Sequence, residues 1–199
     1  MRGNHSRTRF SVTPGVYFFS AILVLLVPLR WLLGAILSVA VQEVCHILSV
    51  RALGIPIYSV QIGISGARIQ TQCMTLWKEL ICALAGPFGG FLLLLTAKWF
   101  PITALCAGFH TLYNLLPIYP QDGGRALRCG AYLLLPGKWA KAVCKIVECA
   151  CLAGVGVLGI YGTFVLRIGI LPLIFSLLFL QRCIGMKISL QRGAIGGTI

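Results

Sequence analysis

Apolar residues occur along this chain in long runs that short polar or basic segments interrupt. A run of roughly 20 apolar residues is long enough to cross the hydrocarbon layer of a bilayer as a helix. The pattern predicts transmembrane helices at residues 15–29, 31–50, 79–97, 101–117, 146–165 and 168–184. The expected fold class is therefore an all-α polytopic membrane protein with about six transmembrane helices.

The segment between the second and third apolar runs has a different pattern. Residues 57–64 lean to β-branched and aromatic side chains in near alternation, and Gly63 and Gly66 lie near the end of this stretch. Such a pattern is typical of a strand that ends in a turn, so we expect a small β element there. An amphipathic segment at the membrane interface is the alternative.

The remaining polar segments define the predicted organisation of the chain. Residues 118–142 hold a loop rich in Pro and Gly with a short apolar helix near Ala131–Leu135. We expect a single membrane-embedded domain at residues 15–184, between cytoplasmic tails at 1–14 and 185–199.

The composition also favours a membrane protein. Hydrophobic residues make up 58% of the chain and charged residues 11%, against about 25% charged residues in soluble domains. The net charge of +13 would suit nucleic-acid binding in a soluble protein. If the N-terminus is cytoplasmic and the spans alternate, however, 14 of the 17 Lys and Arg residues lie on the cytoplasmic side, as the positive-inside rule requires. The expected partner is therefore the lipid bilayer and not nucleic acid.

One acidic residue, Glu43, lies inside the second apolar run. A charged group at mid-bilayer costs about 2.5–3.5 kcal/mol on insertion scales, so its presence suggests a functional site. Gln42 and His46 are four residues apart and share one helix face. The pattern is one residue short of H-E-x-x-H, in which two His residues bind zinc and the Glu activates the metal-bound water. Taken alone, this segment could equally be a polar seam between packed helices.

A second polar stretch follows the fourth predicted helix. Residues 114–125 read N-L-L-P-I-Y-P-Q-D-G-G-R. Asp122 stands where a new helix is expected to start and an acid is a good cap, and Gly123 and Gly124 let the backbone approach another group closely. By itself the stretch could be a Pro/Asp/Gly turn with a helix cap, which is common in proteins.

Together, the two motifs resemble those of the site-2 protease family of intramembrane metalloproteases. An E-x-x-H in one membrane helix, followed by N-x-x-P-x-x-P-x-D-G-G-R after a later one, looks closest to the compact bacterial type that includes the sporulation-factor proteases. Ala85-Gly86-Pro87 and the strand-like stretch at 57–70 are also similar to family segments. The likeness covers about residues 15–135, and it implies a multi-pass protein of the bacterial cell membrane.

The resemblance implies a zinc-dependent metalloendopeptidase that hydrolyses peptide bonds of membrane-embedded protein substrates. By position, Glu43 would be the general base and Asn114 would help to hold the substrate carbonyl. His46 and Asp122 would bind Zn²⁺, leaving a position for the water that zinc activates.

The resemblance also suggests how a substrate could bind. A transmembrane helix must expose its amides before it is cut, and these amides need new hydrogen-bond partners. The strand-like stretch could supply them by accepting the substrate as an added strand, with Ile62 and Ile64 as contact residues.

The chain departs from the family pattern at Gln42, where the family has His. A Gln side-chain oxygen is a weaker zinc ligand than imidazole. Gln42 or water could complete the zinc site, or another residue such as His110 or Cys45 could replace the missing His. Alternatively, the chain could be a pseudoprotease that binds transmembrane segments as a regulator without cutting them. A small transporter with an intramembrane Glu/His site is a further alternative, although the sequence lacks the doubled halves common in transporters.

Overall fold

A computed structural model describes residues 9–12, 14, 24–63, 66–71, 74–167, 169–170, 172–174, 176–177 and 179–181. These residues are mostly helical. The chain divides into two compact units, Met1–Asn114 and Leu115–Ile199.

Three helices dominate the first unit. They are α1 (Leu29–Ala52), α2 (Leu76–Leu94) and α3 (Pro101–Asn114), and each packs against the other two. α3 begins with Pro101 because proline is tolerated in the first turn of a helix, where its missing N–H would have no partner. Shortly after α1 ends, Gly54 has a φ of 68°, a left-handed conformation that glycine adopts without steric cost.

The packed side of α1 is a narrow stripe of positions four residues apart. Gly34, Ser38, Gln42 and Val50 are buried on it, and His46 continues the same row. Large apolar residues on the other sides of α1 are exposed, including Leu33, Ile36, Leu37, Val44 and Leu48. Small and polar residues at the helix contact, with apolar residues outside, are the arrangement expected of a helix in lipid.

A three-stranded sheet completes the first unit, with the strand order β1-β2-β3. β1 (Arg9–Val12) pairs in parallel with β2 (Ile57–Gly63), and β2 pairs antiparallel with β3 (Gly66–Thr71). β2 is therefore the central strand, and both of its edges are occupied.

A small apolar cluster ties the sheet to the helices. Val50 of α1, Ile55 before β2 and Cys82 of α2 are buried together, and Leu53 and Ile57 pack against them. The sheet is thereby fixed beside the C-terminal end of α1.

The second unit contains α4 (Asp122–Leu134) and α5 (Gly137–Phe164), which pack against each other. The described residues between 172 and 181 are also helical. This segment approaches α5 closely at Gly159, where a Cβ would collide with Ser176. Contacts through glycine are common between membrane helices because they let the backbones come close.

Within the described part of the chain, three helices are long and apolar enough to cross a membrane, namely α1, α2 and α5. Each lies where an apolar run predicts a span. α5 begins at Gly137, before the predicted start near residue 146, because the lysine-bearing segment ahead of the apolar run is helical too. The predicted span at 101–117 holds α3, which has 14 residues and is shorter than these three helices. The predicted spans at 15–29 and 168–184 lie partly outside the described residues, so the count of about six spans stays a prediction.

Two other helices differ from the prediction. α3 ends at Asn114, before the predicted end at Pro117, because proline disfavours a helical conformation in the residue that precedes it. α4 is longer than the apolar segment Ala131–Leu135, since its first turns carry glycine and charged residues that a search for apolar runs passes over.

Gln121 occupies the N-cap of α4, so Asp122 is its first helical residue and not its cap.

Candidate active site

Gln42 is the centre of a buried hydrogen-bond network between α1 and α3. Its Nε2 donates to Thr111 Oγ1 at 2.8 Å, and its Oε1 accepts a hydrogen bond from Asn114 Nδ2 at 2.9 Å. Gln42 and Thr111 are each 1% exposed, so these bonds form in surroundings where a polar group without a partner is costly. The amide of Gln42 thus links two helices through both its oxygen and its nitrogen.

The network extends to His110, which precedes Asn114 by one turn of α3. Asn114 Nδ2 lies 3.2 Å from His110 Nε2. Because an amide nitrogen only donates, His110 Nε2 is the acceptor and carries no proton. The Nε2 lone pair that could bind a metal is therefore directed at Asn114. The four residues are called the amide network below: Gln42, His110, Thr111 and Asn114.

α2 approaches the amide network at Gly90. A Cβ on Gly90 would collide with Thr111 Oγ1 and crowd Gln42 Nε2. Any side chain at this position would therefore press on both atoms of that hydrogen bond. Glycine lets three helices meet at one polar point.

Replacing Thr111 with valine should weaken the first unit. Valine keeps the shape of threonine but removes the acceptor for Gln42 Nε2, and a buried donor left without a partner costs about 1–3 kcal/mol. The thermal midpoint in detergent, followed by tryptophan fluorescence, should fall by roughly 2–4 °C for each kcal/mol. Thr103→Val, on α3 but outside the amide network, is the matched control and should change the midpoint far less. Equal shifts in the two variants would contradict the role given to Thr111.

His46 is oriented by the backbone of α2. Its Nδ1 lies 2.8 Å from the carbonyl oxygen of Cys82. A carbonyl only accepts, so Nδ1 carries the proton, and in the neutral ring Nε2 carries the lone pair. Metal-binding histidines are commonly fixed by such a bond. Here, however, Nε2 is the ring atom that lies closest to Gly86, so it faces the backbone of α2.

Two glycines of α2 accommodate side chains from α1. A Cβ on Gly86 would collide with the imidazole of His46, and a Cβ on Gly89 would press on Cys45 Sγ. Gly86 belongs to the Ala85-Gly86-Pro87 segment singled out in the sequence. The segment therefore has a physical role here, because it makes room for the His46 ring against the helix backbone.

Glu43 is half-buried on α1. It follows Gln42 by one residue, so it points about 100° away from the direction of Gln42 around the helix. It precedes His46 by three residues, and residues three apart are neighbours on a helix surface. Glu43 and His46 thus share one side of α1, which is the relation that an E-x-x-H pattern predicts.

Asp122 begins α4 in the second unit. Its side chain is 12% exposed, and its Oδ1 lies 3.8 Å from Arg125 Nη1. The two following residues carry no side chain, and the preceding loop fills that space: a Cβ on Gly123 would collide with the Leu115 carbonyl, and one on Gly124 with the backbone of Ile118. The two glycines therefore allow the loop that precedes α4 to pack tightly against the first turn of the helix.

The strand predicted to receive a substrate is β2. Ile62 pairs with Val12 on one side and with Ala67 on the other, and Ile64 lies outside the described residues. Addition of a substrate at β2 would require β1 or β3 to leave. Among the described strands, the outer edges belong to β1 and β3, so contact of Ile62 with a substrate stays a prediction.

A catalytic zinc site needs three protein ligands and an open position. At positions 42 and 46 the first unit offers one imidazole and one amide, and that amide is engaged by Asn114 and Thr111. Within each unit, the described residues contain no group of three or more His, Cys, Asp or Glu side chains placed to hold a metal. The residues present in the first unit therefore do not fit a complete zinc centre.

Sequence reasoning misses two groups of the site: Thr111 and the carbonyl of Cys82. Threonine is an ordinary residue in membrane helices, and Thr111 is separated from Gln42 by 69 positions. The available signal is Gln42 itself. An amide inside a membrane span requires partners on neighbouring helices, because lipid supplies none.

Comparisons with known proteins show a similarity to solved structures only in fold. No family model and no curated protein matches the sequence. Among solved structures, the chain is similar to the site-2 protease from Methanocaldococcus jannaschii, with 18% sequence identity, 81% of each chain covered and a TM-score of 0.49. Similarity at this level does not transfer the roles of individual residues.

Proposed function

We propose that this chain is a membrane-embedded, site-2-protease-like protein that binds transmembrane segments of client proteins and does not cleave them through zinc. The observation that carries the proposal is the engagement of Gln42, whose amide oxygen and nitrogen both bond within the amide network. To bind a metal, Gln42 could offer only the second lone pair of an oxygen that already accepts a hydrogen bond from Asn114 and that is almost fully buried. An amide oxygen is a weak zinc ligand, and any movement of Gln42 toward a metal would weaken buried hydrogen bonds.

Support for client binding comes from the sequence motifs and from the sheet. The E-x-x-H and D-G-G-R motifs resemble those of proteins that act on transmembrane segments. Among the described strands, β3 pairs on one side only. Its outer edge could therefore supply backbone partners to an unwound client segment, whose amides find none in lipid.

The membrane topology is part of the same proposal. The chain would cross a bacterial cell membrane about six times, with its N-terminus in the cytoplasm. The apolar character of α1, α2 and α5 supports membrane embedding. The distribution of Lys and Arg along the sequence supports the orientation.

The second candidate is a zinc-dependent intramembrane endopeptidase. The tautomer of His46 favours it, because Nδ1 is held by the Cys82 carbonyl and Nε2 carries the lone pair, although Nε2 faces the α2 backbone at Gly86. The position of Glu43 beside His46 favours it as well. This candidate needs a metal ligand besides His46 and Asp122, which position 42 does not readily supply.

The zinc content of the purified protein separates the two candidates. The native chain and Gln42→His are purified side by side in detergent, and zinc per protein is measured by elemental mass spectrometry. We expect far less than one zinc per native chain, because even the loss of a group that supports a ligand weakens zinc binding about 10–100-fold. Gln42→His should hold more zinc. Glu43→Gln removes the acid without removing a ligand, so it should leave zinc content unchanged in either background.

Cleavage of a model client shows whether bound zinc makes the protein a protease. A single-span protein with an Asn-Pro break in its span is reconstituted with each variant in nanodiscs. The native chain should bind this client without producing a cut fragment, and Gln42→His should gain cleavage that Glu43→Gln removes. Near-stoichiometric zinc in the native chain, with cleavage that depends on Glu43, would replace the proposal with the endopeptidase. The absence of zinc from both chains would exclude His46 and Asp122 as a metal-binding pair.

A further inference from the structure

The first turns of α5 carry three exposed lysines on one side. Lys138, Lys141 and Lys145 follow each other at intervals of three and four residues, which places them along one helix face. The basic face is defined here as Lys138, Lys141 and Lys145.

One acid lies close to this face on the same helix. Glu148 follows Lys145 by three residues and is 8% exposed, whereas the three lysines are exposed. One buried carboxylate can offset at most one of three lysine charges, so the exposed side of α5 keeps a net positive charge.

The sequence of α5 sets the depth of the basic face in a membrane. Beyond Lys145 the helix continues for 19 residues to Phe164 with Glu148 as its one charged residue, a length of about 28 Å at 1.5 Å per residue. This length matches the roughly 30 Å hydrocarbon layer of a bilayer. Lys145 then lies at the border of that layer, with Lys141 and Lys138 about 6 and 10 Å beyond it. Trp139, which is 68% exposed, occupies the same zone, where tryptophan is enriched.

We propose that the basic face binds the headgroup phosphates of anionic phospholipids. If the apolar part of α5 spans the hydrocarbon layer, these lysines lie at the depth of the lipid phosphates. Several positive charges close together attract anionic lipids in preference to neutral ones. This proposal requires that α5 spans the membrane. It requires neither zinc nor a client, so its test is independent of the test of the proposed function.

The test compares two double variants that remove equal charge. Native chain, Lys141→Gln/Lys145→Gln and Lys98→Gln/Arg167→Gln are reconstituted in vesicles containing phosphatidylglycerol and phosphatidylcholine in equal amounts. Lipids that stay bound after extraction are quantified by native mass spectrometry. Lys98 and Arg167 are exposed and lie outside the basic face. We expect the native chain and the control to retain phosphatidylglycerol several-fold over its share of the vesicle, and the Lys141/Lys145 variant to lose that enrichment.

Three results would overturn the proposal. The first is that the native chain retains no excess of phosphatidylglycerol, and the second is that both double variants lose this excess equally. The third is displacement of the lipid by millimolar inorganic phosphate, which would indicate a site for the free anion. If the Lys141/Lys145 variant does not fold, the native chain still provides a test. Enrichment through lysine charges should fall as salt is raised, and enrichment that salt does not change would also contradict the proposal.

Discussion

Replacing Gly124 with alanine should cause a large loss of stability in the second unit. The new Cβ would meet the backbone of Ile118 and Tyr119, and backbone atoms cannot rotate away as the end of a long side chain can. Overpacking of this kind costs about 1–3 kcal/mol when side chains can adjust, so we expect a value at or above the upper end of that range. The thermal midpoint in detergent should then fall by roughly 6–12 °C.

Gly130 provides the matched control on the same helix. A Cβ there would have no neighbour within 4 Å, and alanine is about 1 kcal/mol more favourable than glycine inside a helix. Gly130→Ala should therefore leave the midpoint unchanged or raise it slightly. If both variants fall by the same amount, the loop that precedes α4 does not pack on Gly124 as described.

Replacing Gly86 with alanine should strongly reduce the zinc that Gln42→His acquires. The Cβ of residue 86 would occupy the position of the His46 imidazole. The ring would have to move, and its hydrogen bond to the Cys82 carbonyl would be lost. Because groups that orient a metal-binding histidine are worth about 10–100-fold in affinity, zinc should bind Gln42→His/Gly86→Ala at least tenfold more weakly than Gln42→His.

Competition with a fluorescent zinc chelator measures this affinity. Gly154→Ala in the Gln42→His background is the control, since a Cβ on Gly154 has no neighbour within 4 Å. The control should bind zinc as tightly as Gln42→His alone. Unchanged affinity in the Gly86 variant would mean that His46 does not hold the metal in the orientation seen here.

The helices of this fold could be predicted from local sequence, whereas the partners of its polar groups could not. α1 and most of α5 follow from long apolar runs, because the length and hydropathy of a run are properties of neighbouring residues. The partners of Gln42 lie 69 and 72 positions away, and no local pattern distinguishes Thr111 from other threonines in a span. The sequence could show that Gln42 needed partners, but only the packing of α1 against α3 identifies them.

The same limit applies to the N-terminal segment. Arg9–Val12 lies within the predicted cytoplasmic tail at residues 1–14, and it forms a strand that the sequence does not predict. Its hydrogen-bond partners are on β2, more than 40 positions along the chain. A four-residue strand has too little local signal to be recognised, because its stability comes from the edge to which it pairs.

The pairing of β1 with β2 also constrains how the chain is threaded through a bilayer. Two strands of one sheet lie on the same side of the membrane, so the chain between Val12 and Ile57 must cross it an even number of times. If α1 is one of these crossings, an odd number of further crossings must accompany it. A helical hairpin at residues 15–29 and 31–50, as the apolar runs predict, would meet this requirement, and its first half stays a prediction. Val12 and Ile57 would then face the same compartment, which labelling of a cysteine placed at either position, in a variant without the nine native cysteines, would reveal.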